Sequence, residues 1–117
     1  PGFYLSDSGY TVDTRVDSAE EIASIMRIRD GWQLSGGIVV AQPLPVDAQL
    51  GPELHNRVLM AGLDAAHAAG VVGKDVTPFL LSYFHRETEG ASLDVNVDIV
   101  LRNARFATHI AHAFGAA

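Results

Sequence analysis

The sequence has no cysteine, so neither a disulfide framework nor a thiolate metal site can be built from it. Lysine occurs once, at Lys74, and no block of like charge is present. With 8 basic against 14 acidic residues and a net charge of -6, the chain lacks a basic surface for gripping a nucleic-acid polymer or an anionic membrane by bulk electrostatics. A local phosphate site needs only a few donors and survives that exclusion. No apolar run approaches membrane-spanning length, and no signal peptide is visible. These absences fit a cytoplasmic setting. The first residue is Pro1 rather than methionine, which fits a processed chain or the tail of a longer protein. What remains, 117 residues, is enough for one domain with a modest core.

Local punctuation divides the chain. Residues 10–16 alternate weakly between polar and apolar and read as a short edge strand. Ser18-Ala-Glu-Glu21 is a capping box, and Ile22, Ile25, Met26 and Ile28 then supply an apolar helix face that stops near Asp30-Gly31. Gly36-Gly-Ile-Val-Val-Ala41 is continuously apolar and reads as a buried strand, with Pro43 and Pro45 marking the loop that leaves it. A helix is expected over 52–69, with Gly70 as its stop. Thr77-Pro78 reads as a hydroxyl N-cap followed by proline at the first helical position of a short helix ending at Gly90. Ser92 caps the last helix, which runs to about Phe114.

This inventory contains four helices and one strongly apolar strand. A strand apolar on both faces belongs inside a sheet with neighbours on each side, and those neighbours are missing. The expected fold is therefore α/β: a helix-rich portion of a layered α/β/α unit, with few strands of its own.

On the last helix, Leu93, Asn96, Val100, Asn103, Ala107, Ile110 and Phe114 share one stripe, and Asp94, Asp98, Arg102 and Arg105 another. The charged stripe is expected to be the wet one, which turns Asn96 and Asn103 inward. A buried amide needs partners. Each either ties down a neighbouring loop or strand end, or faces a polar ligand; Asn96, one turn from the helix start, is the better candidate for a ligand. Gly70-Val-Val-Gly73-Lys74 has a superficial likeness to a phosphate loop, but its glycine spacing is wrong, a helix precedes it, and Asp75 stands where the hydroxyl belongs. A nucleotide-binding module centred on Gly73-Lys74 would gain thermal stability from ATP, and none is expected. The free amides at the Thr77-Pro78 helix start can still attract an anion. His109 and His112 lie three apart without an acidic partner at matching spacing, so they read as ordinary helix-face residues. No Ser/His/Asp or paired-carboxylate arrangement stands out.

Several stretches, taken together and in order, resemble the C-terminal third of pseudouridine-5'-phosphate glycosidase, the family also described as indigoidine-synthase-A-like. They are Phe3-Tyr-Leu-Ser-Asp-Ser8-Gly9, Arg15-Val-Asp-Ser-Ala-Glu-Glu-Ile-Ala23, Gly36 to Pro45, Gly70 to Leu81 with its Thr-Pro-Phe-Leu-Leu run, and Ser92 to Ala107. The resemblance implies an enzyme that reversibly cleaves the C–C glycosidic bond of pseudouridine 5'-phosphate to uracil and ribose 5-phosphate. It uses a Schiff-base lysine, an acid glutamate and a manganese ion, and assembles as a homotrimer. A C–C bond has no heteroatom leaving group, so an iminium electron sink with proton transfer makes chemical sense. The family's catalytic asparagine matches Asn96; Lys74 and Thr77 are weaker candidates for loop or phosphate contacts.

The departures matter equally. The family's nucleophilic lysine, acid glutamate and manganese-binding aspartate belong to motifs with no counterpart here, and Gln42 replaces the usual asparagine before proline. The expectation is that residues 1–117 form the C-terminal portion of a single glycosidase-like domain whose catalytic upstream part lies outside this chain. This portion would supply one wall of the site and be inactive alone. The alternative is a non-catalytic assembly or interaction module that retains the fold.

Overall fold

A computed structural model describes residues 1–116. It contains four α-helices: α1 (Ala19–Gly31), α2 (Pro52–Ala68), α3 (Val76–Glu87) and α4 (Ala91–Gly115), with a single 3₁₀ turn at Gly73–Asp75 before α3. No strand forms among the described residues. Both predicted strands, over residues 10–16 and 36–41, are corrected to irregular coil. The reason is physical: a strand exists by pairing, and the backbone of 36–41 finds no ladder partner among the described residues. The helix-rich half of the expectation holds; few strands becomes none in the described part.

Two compact units emerge, residues 1–8 with 43–99, and residues 9–42 with those from 100 on. In the first, Tyr4, Leu50, Val58 and Phe84 form the buried cluster, with Leu54, Leu59, Leu81, Tyr83 and Val95 packed against it. The Tyr4 and Phe84 rings lie 5.0 Å apart, and His55 sits 5.4 Å from Phe84. The N-terminal segment is pinned by two long-range bonds, Leu50 N–H to the Tyr4 carbonyl at 2.9 Å and Ser6 N–H to Gln49 Oε1 at 2.9 Å. Helices α2 and α3 approach closely at Gly62, where an added Cβ would lie 3.0 Å from Leu80 Cδ2 and 3.1 Å from Tyr83 Cδ1. Glycine costs helix propensity, and here it lets the two helices meet without displacing Leu80 or Tyr83.

The second unit is built on α1. Its capping box forms as the sequence dictates: Ser18 Oγ accepts from Glu21 N–H at 3.2 Å while Glu21 Oε2 accepts from Ser18 N–H at 3.2 Å. Ala19, Ile22 and Ala23 are buried. Arg27 Nη1 donates to the carbonyls of Ala113 and Phe114 at 3.0 and 3.3 Å. A cation on the last carbonyls of α4 satisfies acceptors that no helical N–H can reach and complements the helix dipole.

Two helix starts differ from expectation. The 3₁₀ turn feeds α3 directly, so the helix begins at Val76 with Asp75 as N-cap, and Thr77 and Pro78 are its second and third residues. Proline is tolerated there because first-turn N–H groups have no intrahelical acceptor. Helix α4 begins at Ala91, one residue before the expected cap, and the capping hydroxyl belongs to Thr88. Thr88 Oγ1 donates to the Phe84 carbonyl at 2.7 Å and accepts from Ser92 N–H at 3.0 Å, joining the end of α3 to the start of α4. Glu89 and Gly90, with φ of 51° and 92°, make the turn between them.

Candidate functional site

The first turns of α4 carry Asn96. Ser92 is 1% exposed, Val95 packs on the buried cluster, and Asn96 and Ile99 are half-buried on the same side. Leu93 and Val97 are exposed. The inward face is thus Ser92, Val95, Asn96 and Ile99, rotated from the stripe expected from the sequence. Asn96 stays on it, whereas Asn103 is exposed, as are Val100 and Ala107. Asp98 and Arg102 of the expected wet stripe are half-buried. Ile110 and Phe114, further along the expected stripe, are half-buried, so the departure is confined to Leu93, Val100, Asn103 and Ala107. Asn96 makes no side-chain hydrogen bond among the described residues. It therefore does not tie down a loop here, and its half-buried amide presents two donors and an acceptor to the surroundings.

Lys74 lies exposed in the 3₁₀ turn, and Thr77 is exposed in the first turn of α3. Three residues apart, they stand at a helix N-terminus whose dipole favours negative charge, with Asp75 between them opposing it. Thr77 also forms the rim of a groove of about 280 Å³ whose walls include Tyr4, His55, Leu80 and Phe84. Asn96 does not line this groove. Lys74 and Thr77 thus lie close in sequence at the start of α3, and Asn96 lies on another element.

Tyr4 and His55 were not singled out by sequence reasoning. Burial pushes the Tyr4 phenol above its ordinary pKa of 10.0, and a side-chain hydrogen bond with Ser92 opposes that rise. His55 Nδ1 is 3.2 Å from Asn56 Oδ1. Nothing local marks either residue, because both are placed by contacts distant in sequence. His109 and His112 are exposed on α4, and no group of three or more His, Cys, Asp or Glu able to hold a metal forms among the described residues. No described helix is long and apolar enough to cross a membrane.

Comparison with known proteins decides the family: residues 1–113 match the family described as indigoidine synthase A like protein. The chain belongs to that family. Among its relatives, a pseudouridine-5'-phosphate glycosidase of Salinispora tropica is 54% identical over 99% of this chain and 36% of its own length. One from Frankia alni is 50% identical over 99% of this chain and 32% of its own length. A more distant one, from Brachyspira hyodysenteriae, is 34% identical over 97% of this chain and 37% of its own length. The chain therefore spans about a third of the length of the curated relatives it matches.

Proposed function

We propose that this chain is the C-terminal portion of a pseudouridine-5'-phosphate glycosidase, supplying one wall of the site at which the C–C glycosidic bond is reversibly cleaved to uracil and ribose 5-phosphate. The observation that carries the reading is the match of 99% of the chain, at 54% and 50% identity, to two proteins bearing that name. The complete protein is a layered α/β/α unit of a cytoplasmic homotrimer acting on a small molecule, with no nucleic-acid polymer or membrane partner.

Asn96 is the group of this chain that acts on the substrate. A half-buried amide without a hydrogen bond among the described residues can donate to a sugar hydroxyl and accept from another, holding the ribose as charge develops. Lys74 and Thr77 contact the phosphate, where a helix N-terminus and a cation attract it. The Schiff-base lysine lies outside this chain: such a nucleophile needs a desolvated pocket, and Lys74, the only lysine, is exposed. The residues present do not fit manganese either, since the described part holds no cluster of ligands for it. Those ligands belong to the upstream part.

In the full-length polypeptide, Asn96→Ala is expected to lower turnover of pseudouridine 5'-phosphate about 100-fold, as loss of a positioned amide donor does. The thermal midpoint should stay unchanged, because Asn96 makes no side-chain hydrogen bond among the described residues. Unchanged turnover would reject the assignment.

A further inference from the structure

Ser92 lies in the first turn of α4 and is 1% exposed. Its hydroxyl does not serve the cap that the sequence suggests, since Thr88 Oγ1 accepts from the Ser92 N–H at 3.0 Å. That leaves a buried hydroxyl with no capping duty, at a position where alanine would suit a helix better. A buried hydroxyl costs stability unless it is paired. The partner of the Ser92 side chain is the hydroxyl of Tyr4, a residue only 4% exposed.

The other ends of these bonds are anchored. The Tyr4 carbonyl accepts from Leu50 N–H at 2.9 Å, and the Tyr4 ring lies 5.0 Å from that of Phe84. Thr88 Oγ1 in turn donates to the Phe84 carbonyl at 2.7 Å. Tyr4, Phe84, Thr88 and Ser92 therefore close a ring of contacts, and Ser92 is its member on α4. Val95 packs on the same cluster, but an apolar contact tolerates a small rotation of the helix. Hydrogen bonds weaken steeply when misaligned. One bond at the backbone and one at the side chain of a single residue fix the first turn about its axis.

Asn96 stands four residues beyond Ser92, one turn on and on the same side of the helix. A rotation of about 10° moves an atom about 6 Å from the helix axis by about 1 Å. Misplacement on that scale can cost ~100-fold in rate. We propose that Ser92, gripped by Tyr4 and Thr88, is a positioning residue that sets the direction in which the Asn96 amide meets the substrate. The role rests on the assignment of Asn96 made above and goes beyond it, because Ser92 acts through Asn96 rather than on the substrate.

Tyr4→Phe and Ser92→Ala each remove one end of the same bond, and Tyr4→Phe keeps the ring in the cluster. In the full-length polypeptide each should lower kcat for pseudouridine 5'-phosphate about tenfold with KM little changed, and the pair should lose no more than either alone. In the Asn96→Ala protein, neither should lower kcat further. A loss that multiplies with that of Asn96→Ala would make the grip merely structural and overturn the proposal. Unchanged kcat in both variants, in a protein that Asn96→Ala impairs, overturns it as well. If Asn96→Ala has no effect, the assignment of Asn96 falls and the positioning role falls with it. Amide hydrogen exchange at Val95, Asn96 and Val97 reads the grip without turnover. It should quicken at least ~10-fold in both variants. Unchanged exchange overturns the proposal even in a protein that cleaves nothing, whereas quickened exchange where the parent protein cleaves nothing rejects the glycosidase reading alone.

Discussion

The cluster around Phe84 and the segment 36–41 differ in how far they satisfy themselves. Phe84 is 3% exposed, ringed by Tyr4, His55, Leu50 and Val58, and held at the α3–α4 junction by the two hydrogen bonds of Thr88. Residues 36–41 are equally apolar, yet Val39 is 95% exposed and the segment makes no backbone–backbone hydrogen bond among the described residues. Both are greasy in sequence. What separates them is whether the partners lie within the chain. Helices close their own hydrogen bonds and need only an apolar face; a strand needs another strand.

Substitutions break or sharpen this contrast. The largest effect is expected from Phe84→Ala, which empties the closed cluster and should cost about 3–5 kcal/mol in chemical denaturation followed by helical circular dichroism. Gly62→Leu should cost about 1–3 kcal/mol by the same measurement, because its side chain must enter the contact already filled by Leu80 and Tyr83. The Tyr4 phenol gives a pH dependence. Its pKa is raised in the folded chain, so its contribution is fully present below 10.0 and is lost as pH rises through the raised value. Stability should fall above about pH 10, and Tyr4→Phe should flatten that alkaline limb; an unchanged limb would place the titration elsewhere. The smallest effect is expected from Val39→Ser in the isolated chain, within about 0.5 kcal/mol, since the side chain is in water there. A larger loss would mean that the segment is closed within the chain after all.

Local signals were the legible part of the fold. The Ser18–Glu21 capping box and the Asp30-Gly31 stop gave α1 almost to the residue, and Pro52 and Gly70 bounded α2. The α3 start was displaced because the 3₁₀ turn at Gly73–Asp75 merges with it, a continuity that Thr77-Pro78 alone does not reveal. The face of α4 was only partly legible from period, since apolar residues stand on both flanks of its charged stripe and Val95 and Ile99, not Leu93 and Val100, turn inward. Asn96 was correctly turned inward and Asn103 was not. Tyr4 and His55 escaped notice because their surroundings come from contacts distant in sequence, Tyr4 with His55 and both with Phe84. For the site, the family motifs pointed to Asn96, Lys74 and Thr77, and the structure adds that Asn96 is half-buried and makes no side-chain hydrogen bond among the described residues, while the other two stand exposed at a helix start.

The central claim is that this chain is one part of a glycosidase and needs the rest of the polypeptide to act. The most direct test follows the release of uracil from pseudouridine 5'-phosphate, with manganese present, by the isolated 117-residue chain and by the full-length polypeptide containing it. The account expects no release from the chain alone and sustained release from the full-length protein. Release by the chain alone, or a folded full-length protein that releases none, would contradict it.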